Sequence, residues 1–578
     1  MSQTTYDVLI IGGSLGGVSA ALSAGAQGAN VCLIEATNWL GGQYTAQGVT
    51  KPDDNQYADS SGSTASYRAF RHAVRAFYRN TYTLSAKGAA QPEFNPGGPY
   101  PGFTMEPLVG HNVLTQLLAA QPTVKVQLNT KVTAVAMDGT GNAIASVTAT
   151  DSTGTATTIT AAYYLDATDL GDLLPLCGQP GSDWFIGAES QADTGEPNAP
   201  PVAHPEWIQP ITTPLAIEHR PAGENHTIPE PAEYAQLKQE QKYSIADGYI
   251  STMFVAGKDL WSYRSVIAAA NFNDPAYPAD ITMLNMSGND YLAASIPSGD
   301  SATDAAVIAR ARQASLGYLY WLQTECPRDG NPGQLGYPEL KLRADLFNTP
   351  DGTSAQPYIR ESRRIKAIKT VVQQELETVG PRATLFPDSC GIGNYGGMDV
   401  HGCPGNGCQQ QFANVQPFQI PLSAFIPVRL TNYLPACKNI GSTHMTNGVY
   451  RLHPSEWNIG EASGALAVYS IKNNTTPAAV VATPAQLKDF QHGLLAAGIP
   501  LFWWTDVTPD MAAFSAIHLL GLNGYSQGEA NMTFQPHAPL TAQDQQDFNN
   551  STGQTLPWPT TPMTRAEAAI WIVQQLGL

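Results

Sequence analysis

The chain opens on an apolar run, Val8 to Ile11, followed at once by a glycine cluster, a small-residue amphipathic stretch from Val18 to Gly25, and a second apolar run, Val31 to Ile34, ending in Glu35. Uninterrupted apolar runs of this length read as buried parallel strands, and the stretch between them as a helix. The predicted order is strand, turn, helix, strand. Such a unit binds a dinucleotide, because glycines let the backbone approach a pyrophosphate and the helix N-terminus offers unpaired N–H groups to it. Aligned as G-x-G-x-x-G, the residues are Gly12, Gly13, Ser14, Leu15, Gly16 and Gly17, with Ser14 in place of the second glycine. Serine is small enough to fit there, and its hydroxyl can donate to a phosphate oxygen. Glu35, with Ala36 after it, closes the second strand, where a carboxylate accepts the hydrogen bonds of a ribose.

Gly41, Gly42 and Gln43 follow where the chain heads along the bound cofactor; a Gly-Gly pair lets backbone lie against a flat ring, and an amide can meet its polar edge. Tyr67 to Tyr78 and His111 to Ala120 read as helices, and the proline- and glycine-rich loop Gln91 to Gly102 as an excursion over a substrate site. From Val124 the period changes to two. "VKVQLNTKVTAVAMD", which includes Val132, then "AIASVTATD" and "TATTITAAYYLDATD" describe a β-meander whose third strand returns to the nucleotide through Asp166, Ala167 and Thr168. No second strand-glycine-helix unit follows, so a dedicated nicotinamide-nucleotide domain is not expected. Nor does a C-x4-C pair follow the first βαβ unit, and electrons must come from the substrate or an external donor.

This order resembles that of two-dinucleotide-binding-domain flavoproteins, with Asp169 where their Ala-Thr-Gly tripeptide has its glycine. More narrowly, "GGQYTAQGV", "LDATDLGDLLPLCG", "RESRRI", "IPLSAFIPVRLTNYLPACKNIG" and "THMTNGVYRLHPSEWNIGEASGALA" resemble the FAD-dependent oxidoreductase family, whose flavin domain is similar to that of fumarate reductase flavoproteins. The resemblance implies FAD as cofactor. It also implies a helix near Asn458, Ile459 and Gly460 whose N-terminus faces the flavin, where its positive end would stabilise reduced flavin. The expected fold is α/β: a Rossmann-like FAD-binding domain with β-meander over 1–190, an inserted α+β substrate domain over 191–346, the return of the FAD-binding domain over 347–475, and a small helical C-terminal module over 485–578. That module resembles one degenerate S-layer homology repeat, and a structural cap or dimer module is expected of it in preference to wall binding.

Composition narrows the partners. A formal net charge of −18 repels nucleic acid and anionic lipid, and the basic cluster "RESRRIKAIK" reads better as a solvated helix face or an internal ion-pair set. No apolar run is long enough to span a bilayer and no leader is visible, so a cytoplasmic protein is expected. Seven cysteines, an odd number, do not look like a disulfide framework. Cys403 and Cys408 stand apart as either two thiols or one local disulfide, with no metal site expected.

Near a flavin the chemistry needs a proton carrier and a cation. His444, Arg451 and His453 precede the flavin-facing helix, and Asp399 and His401 lie on a glycine-rich loop. The leading expectation is an FAD-dependent oxidoreductase of dehydrogenase or oxidase type acting on a small organic substrate, with O2 or an external electron acceptor. Reduction of an activated double bond competes with it. From another class, a cell-wall-associated binding protein with a relic nucleotide fold, or an NAD-dependent dehydrogenase, would lack bound flavin.

Overall fold

The computed structural model of the chain describes residues 3–97, 102–246, 250–377 and 380–578. Residues 98–101 of the expected substrate-site excursion lie outside the described residues.

Strand β1 (Gln3–Ile11) runs through the centre of a seven-stranded sheet with β2 (Val31–Ile34), β3 (Val124–Gln127), β4 (Thr130–Met137), β5 (Ile144–Asp151) and β6 (Ala156–Asp166). The order is β3-β2-β1-β6-β5-β4, and Tyr433–Pro435 also pairs with β6. The pairs β3–β2, β2–β1, β1–β6 and β6 with Tyr433–Pro435 are parallel, whereas β4–β5–β6 is antiparallel. On the edge away from β1, strand β6 therefore serves two partners. Thr157–Ile159 pairs with β5, and Tyr164–Asp166 with the strand made of residues 433–435. The expected first meander strand divides in two, β3 joining the parallel edge and β4 the meander. Asn129, at φ 52°, turns the chain between them, a left-handed conformation that asparagine tolerates better than most residues.

Helix α1 (Leu15–Ala26) starts at Ser14, whose Oγ accepts from the Gly17 N–H at 3.2 Å. Against it lies the buried helix His453–Lys472, held by small residues. A Cβ on Gly460 would sit 2.0 Å from the Gly16 carbonyl oxygen, and one on Gly464 2.4 Å from that of Ala20. Ser19 Oγ donates to the Trp457 carbonyl at 2.7 Å across the same contact. The helix expected around Asn458, Ile459 and Gly460 is thus present and touches the glycine turn.

Residues 215–342 build a separate antiparallel sheet, Leu340–Leu342, Leu215–His219, Ile281–Leu284 and Ser265–Ile267, with the helix Ser301–Thr324 and its own apolar cluster. Trp261 and Trp321 are buried in that cluster. The C-terminal helices Pro484–Ala496, Phe514–Leu522, Ala542–Thr552 and Arg565–Leu576 join the same apolar cluster as β1 and α1. Two local expectations change. "RESRRIKAIK" is extended, not helical: Arg360, Arg363 and Arg364 pair with Asp290, Asp172 and both Glu189 and Glu361, so it is the internal ion-pair set. "IPLSAFIPV" is a strand only to Pro421, after which Leu422–Phe425 is a 3-10 turn. Among the described residues no helix is long and apolar enough to cross a membrane.

The glycine contact gives a prediction whose sign is opposite to helix propensity. Gly460→Ala would gain about 1 kcal/mol from propensity alone. Against it stands overpacking, typically about 1–3 kcal/mol, at a position where no room exists. Net destabilisation in urea unfolding is expected, and a stabilised variant would refute the tight contact.

Candidate functional site

A cleft of about 210 Å³ lies along the C-terminal ends of β1, β2 and β6. Gly12, Glu35, Ala36, Val132, Ala167 and Thr168, all candidates from sequence, line it. Gly12 has φ +106°, and a Cβ there would lie 2.4 Å from the Ala167 carbonyl group, so the turn admits only glycine. The Glu35 carboxylate is buried and accepts from the Gly13 N–H at 2.7 Å and the Thr37 N–H at 2.8 Å. Burial raises its pKa, against those two hydrogen bonds.

The first-turn N–H groups are partly taken. Gly16 donates to Glu456 Oε1 at 3.2 Å and Gly17 to Ser14 Oγ. The N–H groups of Ser14 and Leu15 find no acceptor among the described residues. These are the donors a pyrophosphate needs at a helix N-terminus. Beside them Lys438 is buried between Asp169 and Glu456; burial opposes its charge, but these neighbours raise its pKa well above normal. Nothing in the sequence pattern singled out Lys438, because it sits inside an apolar strand-like segment.

Other candidates have different work. Asp166 does not face the cleft. It accepts from the N–H groups of Thr168 and Leu173 and from the Tyr433 hydroxyl, and burial lifts its pKa to about 6. It fixes the turn after β6. Gly41 and Gly42 have φ +105° and +48°, and Gln43 Nε2 donates to Glu456 Oε2 at 2.6 Å and to the Arg451 carbonyl at 3.0 Å. Asn458 bonds the Ile392 N–H and the Cys390 carbonyl, Ile459 is buried, and Gly460 touches α1. Those three hold the helix in place and do not line the cleft.

Deeper in, segments 43–50, 359–362 and 442–451 meet. Ile359 N–H donates to Gln47 Oε1, and Asn447 Nδ2 to the Arg360 carbonyl. At that junction Gln43 Oε1, Gln47 Nε2, Thr50 Oγ1, Ser362 Oγ, Ser442 Oγ and Asn447 Oδ1 are buried without a protein partner. A buried unpaired polar group costs about 1–3 kcal/mol, so a set of six marks a ligand's place. Donors and acceptors alternate along the edge of a flavin ring, and this mixed set fits it.

A second cavity, about 60 Å³, is polar and partly open to solvent. Residues 356–360 divide it from the cleft. Pro357 and Ile359 face the cleft and Tyr358 and Arg360 the chamber, as alternation along an extended segment dictates, with Gln356 also lining the cleft. Arg451 donates to the Tyr358 hydroxyl at 2.7 Å and to Asp399 Oδ2 at 3.2 Å. His401 stands between Asp290 at 2.8 Å and Asp399 at 3.4 Å. Burial and Arg360 oppose the imidazolium, but the two carboxylates raise its pKa above the ordinary histidine value. Asp399 itself is driven down, despite burial, by His401 and Arg451. His453 lies just behind: its Nε2 meets the Val49 carbonyl at 3.1 Å, its Nδ1 accepts from the Asp53 N–H at 3.3 Å, and burial depresses its pKa to about 3. It is a neutral positioning residue.

The expected cluster of His444, Arg451 and His453 is therefore split. His444 faces the opposite way, its Nδ1 3.0 Å from both oxygens of Glu361, in a pocket of its own. Asp53, Arg264, Asp290, Tyr358 and Tyr395 belong with the chamber and were missed. Asp290 and Arg264 lie in the insert, where no motif marks them, whereas Asp53, Arg360 and Tyr395 stood in stretches already singled out without being assigned a role.

A βαβ sheet with a glycine turn, a buried carboxylate at the end of its second strand and an unsatisfied polar lining is the architecture of a dinucleotide-binding protein. The chain belongs to the FAD dependent oxidoreductase family, whose sequence profile matches residues 7–494. It is an enzyme of that class and FAD is its cofactor. No curated protein matches the chain. Among solved structures it is similar to L-proline dehydrogenase from P. horikoshii at 20% identity, over 29% of this chain and 23% of that one, with TM-score 0.17. It is similar to the myxobacterial chondrochloren halogenase at 15%, over 39% and 45%, TM-score 0.24. With 3-ketosteroid-delta4-(5alpha)-dehydrogenase from Rhodococcus jostii RHA1 it shares 17%, over 28% and 46%, TM-score 0.19. Each alignment spans less than half of either chain, and the assignment rests on the family profile.

Loss of the charged hydrogen bonds of Glu35, about 1.5–3 kcal/mol, should weaken FAD binding in Glu35→Ala about ten-fold or more. Titrating FAD into apoprotein and following its fluorescence reads this directly. Unchanged affinity would remove Glu35 from the ribose site.

Proposed function

We propose that the enzyme is of dehydrogenase or oxidase type, taking hydride from a small polar substrate held in the chamber of Arg451, Arg360, Asp399 and His401. The observation that carries this is His401, held between Asp290 and Asp399, with two arginines beside it, one extended segment away from the cleft. The cofactor, when bound, accepts or gives a hydride equivalent. Glu35, Ala36, Val132, Ala167 and Thr168 would hold its nucleotide end, with the N–H groups of Ser14 and Leu15 on the pyrophosphate. Arg451 is kept rigid by Tyr358 and Asp399 and orients a substrate oxygen or carboxylate. His401 exchanges the substrate proton. Electrons leave to O2 or an external acceptor.

The same imidazolium supports the runner-up, reduction of an activated double bond, since a charged His401 is a proton donor as it stands. The C-terminal module we read as a structural cap: its helices share the main apolar cluster, and Arg382 lies 4.4 Å from the Phe502 ring and 5.0 Å from that of Trp504. Its S-layer likeness adds no wall-binding role. A cytoplasmic location and a homodimer remain part of this proposal.

Two measurements test it. The first is the visible spectrum of the purified protein with mass identification of the released chromophore, followed by anaerobic mixing with alcohols, amines and saturated acids. Bleaching of the flavin supports the oxidative reading. Reoxidation of chemically reduced protein by an activated alkene alone would replace it with the reductive one.

The second is pH. His401 has a raised folded pKa, so its ion pairs stabilise the fold below its unfolded value of about 6.5 and that stabilisation is lost as pH rises through the folded value. If His401 must accept a proton, kcat/KM for oxidation rises through that same higher value, and His401→Gln removes the limb. A limb that survives in the variant belongs to another group.

A further inference from the structure

One motif is used neither by the cleft nor by the chamber. Cys403 and Cys408 form a disulfide, while Cys32, Cys177, Cys326, Cys390 and Cys437 are free and buried. The bridge closes a loop of only five residues' separation, so it removes little entropy from the unfolded chain. A ring nitrogen of His444 and both sulfurs lie within 4.8 Å of one another. His444 is itself oriented: Glu361, buried and paired with Arg364, holds Nδ1, which leaves Nε2 as the nitrogen that can exchange a proton. Burial works against the Glu361 charge, yet His444 and Arg364 bring its pKa down to about 2. The Cys403 N–H donates to Cys408 Sγ at 3.0 Å, an arrangement that favours a thiolate at Cys408. Cys408 is half-buried and lines a narrow crevice of about 10 Å³ with His444, Glu189, Glu196, Trp207 and Gln411. Cys403 is buried behind it.

We propose that Cys403–Cys408 is a second redox centre, a thiol–disulfide exchange site with His444 as its acid and base and Glu361 as the residue that positions His444. The substrate class is a small thiol that reaches the half-buried Cys408 at the mouth of the crevice. Its thiolate attacks Cys408 Sγ, the Sγ–Sγ bond breaks, and a mixed disulfide forms while Cys403 leaves as a thiolate and takes a proton from His444. A second thiolate attacks the sulfur of the bound thiol and releases Cys408, again as a thiolate, beside the Cys403 N–H. Two thiols are oxidised to one disulfide, and the protein disulfide gains two electrons and two protons to become a dithiol. In reverse, the dithiol reduces a small disulfide. Glu189 and Glu196 beside the sulfur disfavour an anionic thiol, so a neutral or amine-bearing one is preferred. None of these steps depends on the flavin reading.

The test uses the FAD-loaded full-length enzyme and counts maleimide-reactive cysteines by mass after exposure to cysteamine, 2-mercaptoethanol or 3-mercaptopropionate, each rate corrected for its thiolate fraction. Expected is rapid reduction of this one bridge in the folded protein, in that order of rates, with the five buried thiols unlabelled. His444→Gln should slow reduction about ten-fold or more, given the usual worth of general acid–base catalysis, and flatten its pH profile. Glu361→Gln should shift that profile. A bridge that resists all three thiols until the protein unfolds would overturn the proposal without needing any variant. So would an unaltered rate and pH profile in a folded His444→Gln protein, or a reduced pair that captures zinc stoichiometrically and no longer reoxidises. Loss of flavin absorbance alone would count against the cofactor assignment and leave this readout unaffected.

Discussion

Everything at the nucleotide end depends on how closely two helices approach. Helix α1 follows the glycine turn, and His453–Lys472 can lie on it only because Gly460 and Gly464 carry no side chain. That contact brings Glu456 to the Gly16 N–H and Gln43, and Lys438 between Glu456 and Asp169. A buried lysine with one carboxylate would be a poor bargain against desolvation; with two, its charge is retained next to the place where phosphate charge must be accommodated. The same helix start carries Arg451 and His453 to the chamber. One steric allowance therefore sets the distance between cofactor turn, charged cluster and substrate cavity.

The chamber shows how a protein with few charged residues can concentrate them. Arg264, Arg360 and Arg451 are each paired with an aspartate, Asp53, Asp290 and Asp399, and all lie at or near one cavity. Pairing keeps the arginines in fixed orientations, and the acids are neutralised by the cations they hold. His401 is the exception, shared by two carboxylates, and it is the group whose protonation the surroundings control most directly.

Legibility followed local pattern. The βαβ unit, Glu35 and the Ala167–Thr168 turn were readable because period and spacing are local, and each stands where it was expected to line the cleft. Asn458 and Gly460 were legible as a motif but not in their role, since a small residue that admits a neighbouring helix looks the same in sequence as one that admits a ligand. His444, Arg451 and His453 lie within ten positions yet face two cavities, because a short helix, His444–Tyr450, turns the chain between them. Asp53, Arg264 and Asp290 were invisible for a different reason: their partners are remote in sequence, and neither pattern nor spacing encodes such pairs.

Strand β6 divides its length between a neighbour made just before it and one made about 270 residues later, at Tyr433. Helix α1 waits longer still for residues 453–472. At a synthesis rate of about 5–20 residues per second, the first βαβ unit spends roughly 20–90 s on the ribosome before its partner helix exists. Until then the small-residue face of α1 and the far half of β6 are uncovered, so this nucleotide fold is completed only near the end of translation and its early part needs protection from other chains.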